Sequence, residues 1–248
     1  MLKTVRCLRW DGDTVTEGEH VVAEESTLSV FVNGSHFATV MTSPSMEREF
    51  IIGHLYSENI IDRPKDVESL TMEKGIVHVM LNNPLRARVS AKFIVSGCGG
   101  GTSFLEDAKL PKVRSDLAVP KEALSQAMSV VLTSELHKTT GGVHIVGLFD
   151  EGGAICLAED VGRHNALDKV IGCGLLKDVD FGRTFIVSSG RISSEMTLKC
   201  SRANIPLAAS RGAAMSLAVE IAEKTGVALV SFVRGGKMNI YAHWGRVR

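Results

Sequence analysis

The sequence lacks a net charge and lacks any apolar run long enough to cross a membrane. Lys and Arg together number 28, Asp and Glu also number 28, and the formal net charge at pH 7 is zero. Such a chain has no general electrostatic attraction for nucleic acids or anionic membranes. We therefore expect neither as a partner, and any anionic ligand must be recognised by a local pocket.

Cysteine is too sparse for a disulfide framework or a zinc finger. There are five cysteines, and none belongs to a Cys-x-x-Cys pair. An odd, scattered set is typical of a reducing compartment. The first twenty residues include basic side chains but no long apolar run, so no signal peptide is indicated. These absences predict a cytoplasmic protein that holds no metal ion of its own.

The residues that are present divide the chain into two halves of different character. The first half, 1–110, is β-rich with one helix, which Ser43 and Pro44 begin as N-cap and first helical residue and which continues to Ile60. Its runs of β-branched residues predict strands at 28–33, 75–81 and 86–95. A polar stretch with two prolines then predicts a linker at 111–120.

The second half, 121–248, alternates strands and helices. Hydrophobic periodicity predicts helices near 124–131, 164–175, 193–203 and 217–225, and strands at 143–149, 154–158, 184–188, 206–209, 227–233 and 238–242. Asp150 to Gly153 has the composition of a hairpin turn. The fold class is therefore α/β (α+β overall), a β-rich N-terminal domain followed by an α/β domain with helices on a partly parallel sheet.

Cys98 lies in the most informative segment, Ser96-Gly-Cys-Gly-Gly-Gly-Thr-Ser103, in which four glycines surround one thiol. Glycine permits left-handed backbone and close approach, and an exposed thiol can react as a thiolate. The segment therefore predicts a nucleophile or sulfur carrier. The alternatives are a plain turn with an incidental cysteine, or a phosphate loop, although no Gly-Lys-Ser/Thr follows.

Two further segments follow predicted strands and begin helices, where open α/β folds bind ligands. In Glu159-Asp-Val-Gly-Arg-His-Asn165, Arg163 and His164 could hold a phosphate or the edge of a pterin. The alternative is a buried ion pair such as Asp168 with Arg163. In Ser188-Ser-Gly-Arg191, Arg191 could face the same crevice, whereas Ser189 or Ser193 is better explained as the cap of the following helix.

The segment from Phe232 to Lys237 places two cations beside two glycines, a composition that suits phosphate binding. The alternative is a hairpin turn with solvated charges. The candidate cofactor-binding residues are thus Arg163, His164, Arg191, Phe232, Val233, Arg234, Gly235, Gly236 and Lys237.

Taken together, these motifs resemble the formate dehydrogenase accessory sulfurtransferase family (FdhD/NarQ). The resemblance spans nearly the whole chain: Gly53-His-Leu55, the Cys98 loop, Thr140-Gly-Gly-Val-His144, the eleven residues from Glu159 to Lys169, Ser189-Gly-Arg191, and Phe232-Val-Arg-Gly-Gly236 with Tyr241. The run from Glu159 to Lys169 is the most specific of these.

The resemblance implies more than the residue patterns do. It implies a three-layer C-terminal domain like that of cytidine deaminases, and a homodimer. It implies a sulfurtransferase that accepts sulfur from a cysteine desulfurase as a persulfide. The sulfur then passes to the molybdenum or tungsten bis(molybdopterin guanine dinucleotide) cofactor for the formate dehydrogenase apoenzyme. Cys98 matches the first cysteine of the family's loop, and Phe232 to Lys237 match its cofactor-binding segment. The loop's usual second cysteine is Gly101 here.

Two other functions remain open from the sequence. A chaperone that binds the guanine dinucleotide cofactor without moving sulfur would need the same pocket but not Cys98. A deaminase-like nucleotide hydrolase would need His-x-Glu and Pro-Cys-x-x-Cys motifs to hold zinc. Neither motif occurs in the chain.

Overall fold

The computed structural model describes residues 1–85 and 110–248, which form twelve strands and six α-helices. The strands are β1 (Leu2–Asp11), β2 (Thr14–Ala23), β3 (Ser26–Val32), β4 (Ser35–Thr42), β5 (Val67–Glu73), β6 (Ile76–Leu81), β7 (His144–Asp150), β8 (Gly153–Asp160), β9 (Phe185–Ser188), β10 (Leu207–Ser210), β11 (Ala228–Arg234) and β12 (Lys237–Ala242). The helices are α1 (Glu47–Ser57), α2 (Lys121–Val131), α3 (Glu135–Thr140), α4 (Arg163–Leu176), α5 (Ser194–Arg202) and α6 (Ser216–Thr225).

A six-stranded sheet of order β12-β11-β10-β9-β7-β8 forms the centre of the second half. Strands β9, β10 and β11 are parallel to one another, and β7 is antiparallel to β8 and β9. Side chains alternate between the two faces: Val146 and Leu148 pack with α4, α5 and α6, whereas Ile145 and Phe149 pack with α2. Helices therefore cover both faces, and the predicted three-layer α/β arrangement is confirmed.

The first half contains a four-stranded sheet, β4-β3-β6-β5, whose buried face packs on α1. Asn33 and Gly34 connect β3 to β4, with φ angles of 49° and 80°. Asn-Gly favours a two-residue hairpin with positive φ at both positions. Phe50, Ile51 and Leu55 of α1 are almost fully buried against this sheet, as the helical periodicity predicts.

Helix α1 joins the two halves by crossing α4 at two glycines. A Cβ added to Gly53 would lie 1.8 Å from the carbonyl oxygen of Asp168, and one added to Gly172 would lie 1.8 Å from that of Glu49. Only residues without a side chain allow the two backbones to approach so closely. This crossing fixes the first half beside the helix that begins with Arg163.

Strands β1 and β2 form a separate two-stranded ribbon that is exposed on both faces. Leu8 and Trp10 are among its most exposed side chains, at 69% and 77% of their full accessible areas. The ribbon ends against the segment that leads into β7, where Ala23 contacts Gly142. Within the described residues, no helix has both the length and the apolar character that a membrane crossing requires.

The predicted start of α1 is wrong. Ser43 does not cap a helix, because its backbone N–H donates to Asp160 and its hydroxyl accepts from Val161 N–H. The helix begins instead at Glu47, after Met46. The predicted strand at 86–95 lies outside the described residues. The predicted linker is hydrogen-bonded to the second half, for example through Val113 N–H to Thr225, and the domain limits remain predictions.

Candidate functional site

The strand-end edge is the edge of the six-stranded sheet at which β8, β9, β10 and β11 end and β7 begins. The observed strand directions bring these ends together. Ligands of open α/β sheets bind in crevices at such edges. Three exposed arginines follow adjacent strands: Arg191 after β9, Arg211 after β10, and Arg234 at the end of β11. Positively charged side chains are therefore concentrated at this edge, although the net charge of the chain is zero.

Two histidines lie among the cations at the β7–β9 side of this edge. Burial, together with the charge of the neighbouring Arg163, lowers the pKa of His164 to about 4. The pKa of His144 is also lowered, by burial and then by Arg163. Gly190 lets β9 approach His144, because an added Cβ would lie 2.9 Å from its Nδ1. Both imidazoles are therefore neutral near pH 7, and the positive charge resides on the arginines.

Asp168 lies beneath this group and anchors a network of buried polar side chains. Its Oδ2 accepts hydrogen bonds from Lys199 Nζ at 2.6 Å and from His54 Nδ1 at 2.9 Å, and its Oδ1 accepts one from Ser57 at 2.8 Å. Despite the opposing effect of burial, Lys199 and His54 lower the Asp168 pKa to about 2. Through Lys199, His54 and Ser57, the Asp168 carboxylate therefore links α4 to α5 and to α1.

The same network reaches His164 through Glu195. Lys199 Nζ lies 3.7 Å from one Glu195 oxygen, and His164 Nδ1 lies 3.5 Å from the other. The remaining ring nitrogen, Nε2, is 2.8 Å from Ser193 Oγ, which also accepts from Met196 N–H as the N-cap of α5. The predicted capping role of Ser193 is confirmed. Both ring nitrogens of His164 therefore have partners, which fixes its orientation at the strand-end edge.

A second buried pair fixes the turn between β8 and α4. Asp160 and Lys169 are fully buried, with 2.6 Å between Asp160 Oδ2 and Lys169 Nζ. The same oxygen accepts from the Thr42 hydroxyl at 2.5 Å and from Ser43 N–H at 3.1 Å. Asp160 Oδ1 accepts from Gly162 N–H, which shapes the turn before Arg163. The first half of the chain thus positions the start of α4.

A cavity of about 270 Å³ lies at the other side of the strand-end edge, between α2 and the β11–β12 turn. It is lined by Ser125, Met128, Ser129, Leu132, Arg211, Val233, Arg234, Gly235 and Gly236. The Arg234 guanidinium donates from Nε and Nη2 to the carbonyl oxygen of Arg211, at 3.3 and 3.2 Å. These bonds hold the guanidinium plane beside the turn glycines, where a phosphate could accept from it.

Phe232 lies at an irregularity in the pairing of β11 with β12, between Ser231 and Arg234. Its φ of 55° is in the left-handed region, which is uncommon for an aromatic residue. Its N–H donates to Gly212, and its ring lies 5.8 Å from the Arg234 guanidinium carbon. Bulges of this kind are frequent beside functional sites.

The structure brings the predicted cofactor-binding residues to one edge but in two groups. At the β7–β9 side, the charges of Arg163 and Arg191 act on both His164 and His144. Val233 to Gly236 line the cavity at the β11 side, where Phe232 adjoins them. Lys237 is exposed at the start of β12 and is not a lining residue. Cys98 lies outside the described residues. The roles of all these residues remain predictions.

Sequence reasoning missed the residues that support the site. The sequence offered Arg163 as a partner for Asp168. The structure pairs Asp168 with Lys199, which sequence reasoning had not named. His54 of α1 contributes to the same network, and Arg211 adjoins the cavity. An isolated lysine in an amphipathic helix carries no signal of a buried partner on another helix. For Arg211, its position directly after a buried strand was an available signal.

The fold is that of an α/β protein, and exposed arginines line the strand-end edge of its central sheet. Comparisons with known proteins agree with this class. The model of the FdhD/NarQ family matches residues 23–248, and the chain belongs to that family.

Relatives and a solved structure extend over almost the entire chain. A protein of Sulfurisphaera tokodaii named sulfur carrier protein FdhD is 37% identical over 254 residues, covering 99% of both chains. One of the same name from Wolinella succinogenes is 36% identical, covering 96% of this chain and 86% of its own. A Desulfotalea psychrophila crystal structure, assigned as a formate dehydrogenase accessory protein, aligns with a TM-score of 0.82 at 24% identity. It covers 100% of this chain and 99% of its own, and supports the fold.

Proposed function

We propose that the protein is a sulfur carrier that moves sulfur from a cysteine desulfurase to a molybdenum or tungsten bis(molybdopterin guanine dinucleotide) cofactor destined for formate dehydrogenase. Its family relatives carry the name sulfur carrier protein. The proposed binding of this cofactor rests on the row of Arg191, Arg211 and Arg234 along the strand-end edge. The cofactor is cargo in this proposal.

The cavity beside Arg211 and Arg234 suits one part of such a ligand. Its volume of about 270 Å³ is close to the lower limit for small-molecule sites, so it would take one nucleotide moiety while the remainder extends along the edge. Guanidinium groups pair with phosphate oxygens through two parallel hydrogen bonds. Arg191 and Arg163 would contact the part of the cofactor that lies toward β7.

Cys98 is the proposed carrier of the sulfur atom. Its thiolate attacks the outer sulfur of the donor's persulfide, a new S–S bond forms on Cys98, and the donor cysteine leaves as a thiolate. One nucleophile and one acceptor are sufficient for this transfer, so the glycine at position 101 does not prevent it. Neutral His144 and His164 leave the guanidinium charges available for the cofactor's phosphates.

The carrier step is tested by intact mass after incubation with a desulfurase and cysteine. We expect the protein to gain one sulfur atom that a reductant removes, and we expect Cys98→Ala to gain none. Cys7→Ala, which alters a cysteine on the exposed ribbon, is the matched control and should still gain it. A sulfur adduct that persists in Cys98→Ala would contradict the carrier role.

The cofactor site is tested separately by titration with GDP. We expect Arg234→Ala to weaken binding about tenfold or more, since a hydrogen bond to a charged group contributes about 1.5–3 kcal/mol. Arg183→Ala is the control, because Arg183 pairs with Glu151 at the opposite edge of the same sheet. Equal GDP affinity in the two variants would contradict a nucleotide site at the strand-end edge.

If Cys98→Ser still restores formate dehydrogenase activity, the protein is a cofactor chaperone and not a sulfur carrier.

A further inference from the structure

Three side chains at the start of α5 have the arrangement of a nucleophile, a base and a carboxylate. Ser193 Oγ lies 2.8 Å from His164 Nε2, and Glu195 Oε2 lies 3.5 Å from His164 Nδ1. Serine nucleophiles are activated by an imidazole within hydrogen-bond reach, which a third group orients. Because this constellation recurs on unrelated folds and in different chain orders, it is identified by geometry and roles.

The hydrogen bonds around Ser193 direct its hydroxyl proton toward the imidazole. Ser193 Oγ accepts from Met196 N–H at 3.3 Å, and His164 Nε2 is the acceptor within reach of its proton. A neutral imidazole that accepts at Nε2 carries its own proton on Nδ1, which faces Glu195. This tautomer is the one that takes a proton from a serine during nucleophilic attack.

The start of α5 also supplies backbone donors beside Ser193. Met196 N–H and Thr197 N–H donate to the side chain and the carbonyl oxygen of Ser193. The N–H groups of Ser194 and Glu195 have no acceptor within the helix, because they belong to its first turn. In α/β hydrolases, the N–H after the nucleophile helps to stabilise the oxyanion of the intermediate. Ser194 N–H holds that position here.

The three side chains can be approached from solvent. Ser193 is half-buried, and the side chains of His164 and Glu195 are 21% and 37% exposed. Arg191, two residues before Ser193, is exposed at the strand-end edge, and Arg163 directly precedes His164. A molecule that reaches the serine therefore meets cationic side chains.

We propose that Ser193 and His164, oriented by Glu195, form a second reaction centre that hydrolyses carboxylic esters bearing a negative charge. Ser193 is the nucleophile and His164 the base. Glu195 is a positioning residue, since it acts through the imidazole. This chemistry goes beyond the proposed sulfur transfer and requires neither Cys98 nor a bound cofactor.

The environment of His164 favours anionic esters. Burial and the charge of Arg163 hold its pKa at about 4, so the free site has a weak base. A negative charge on the substrate would offset the charge of Arg163 and raise the pKa of His164. An anionic ester would therefore strengthen the base that activates Ser193, whereas a neutral ester would not.

The reaction proceeds through an acyl-enzyme. Ser193 Oγ attacks the ester carbonyl carbon, its proton passes to His164 Nε2, and the carbonyl oxygen becomes an oxyanion beside Ser194 N–H. The bond to the leaving alkoxide then breaks, and the alkoxide takes the proton from His164. Water attacks the acyl carbon with the same base, and Ser193 regains its proton as the acid leaves. One ester and one water become one alcohol and one carboxylic acid.

The first test labels the full-length protein with a fluorophosphonate, from which a nucleophilic serine displaces fluoride. We expect one phosphonyl group on Ser193, in the wild type and in Cys98→Ala alike. Ser193→Asn should not be labelled, and because asparagine caps helices as well as serine does, a lost cap cannot explain that result. Ser216→Ala, which changes an exposed serine at the start of α6, is the matched control and should be labelled as the wild type is.

The second test measures hydrolysis of mono-p-nitrophenyl succinate, which is anionic, and of p-nitrophenyl acetate, which is neutral. We expect a higher kcat/KM for the succinate and a loss of about 100-fold or more in Ser193→Asn. Glu195→Gln should lower kcat about tenfold or more with KM unchanged, because orientation of the base matters only in the transition state.

The proposal is overturned if the wild type is not labelled at Ser193 and hydrolyses neither ester faster than Ser193→Asn does. A phosphonyl group on a different serine would contradict the assignment of the nucleophile, and equal kcat/KM for the two esters would contradict the substrate class. Sulfur uptake from a desulfurase depends on Cys98 and not on Ser193, so failure of either proposal leaves the other standing.

Discussion

Asp168 and Asp160 are buried carboxylates, and each has a buried lysine nitrogen at 2.6 Å and further hydrogen-bond donors. A buried ion pair contributes little compared with apolar residues of the same shape, because desolvation offsets the attraction. Removing one partner is costly, since it leaves an uncompensated charge in the interior. These residues therefore matter most for the positions of α1, α4 and α5.

Lys199→Met should destabilise the protein by about 3–5 kcal/mol, because the Asp168 carboxylate would keep its charge without its cationic partner. Urea unfolding of the two proteins measures the difference. The double variant Lys199→Met with Asp168→Leu removes both charges and should lose less stability than the single variant. A Lys199→Met protein within about 1 kcal/mol of wild type would show that the pair is not tightly coupled.

Stability should fall between pH 6.5 and about 4 partly because of His164. Its pKa in the folded state, about 4, lies below the ordinary value of 6.5. In that interval the unfolded chain binds a proton that the folded chain does not, so falling pH favours unfolding. Stability from this source is complete above pH 6.5 and is lost as the pH falls toward 4.

The check is a series of urea midpoints across that interval for the wild type and His164→Gln. The variant should show a smaller loss of stability on acidification. His20→Gln, which changes an exposed histidine of the ribbon, should keep the wild-type slope. Glu195 also faces His164 and titrates with a pKa raised by burial, so only the difference between the two proteins isolates the histidine. Identical slopes for the wild type and His164→Gln would refute the assignment.

At the scale of elements, the crossing of α1 with α4 depends on two glycines. Gly172→Ala would place a Cβ 1.8 Å from the Glu49 carbonyl oxygen, which belongs to backbone and cannot rotate away. The helices would have to separate, at a cost of about 3 kcal/mol or more. Gly245→Ala has no atom within 4 Å of its added Cβ and is the control, expected to be close to neutral. Thermal unfolding of the two variants decides whether the close approach is required.

Sequence reasoning found the elements whose burial imposes a pattern and missed those without one. The strands and helices of the second half have continuous or periodic apolar faces, and most were predicted within a few residues of their limits. Strands β1 and β2 were missed, since both faces are exposed and no alternation is required. Strand β4 was missed although Asn33-Gly34 was an available hairpin signal.

Across the whole molecule, sequence reasoning located the strand-end residues but not what holds them in place. Glycine-rich and cationic turns after strands are local signals, so Arg163, Arg191 and Arg234 could be identified. The partners of Asp160 lie 117 and 118 residues away along the chain, at Ser43 and Thr42. A contact of this span leaves no local pattern, because each residue alone resembles an ordinary turn or strand end. Because Ser43 makes this contact, it does not cap α1, and the helix begins later than the sequence predicted.

Asp160→Asn should therefore loosen the whole first half from the second. The change removes a charge that compensates fully buried Lys169 and weakens the acceptor shared by Thr42 and Ser43. We expect a loss of about 3–5 kcal/mol. Hydrogen exchange should accelerate first in β4 and in the segment leading to α1, while β9 and β10 keep their protection. Asp62→Asn, which alters a surface pair with Arg202, should cost about 1 kcal/mol or less. Uniform acceleration across both halves would instead mean that Asp160 stabilises the molecule globally and does not fasten one half to the other.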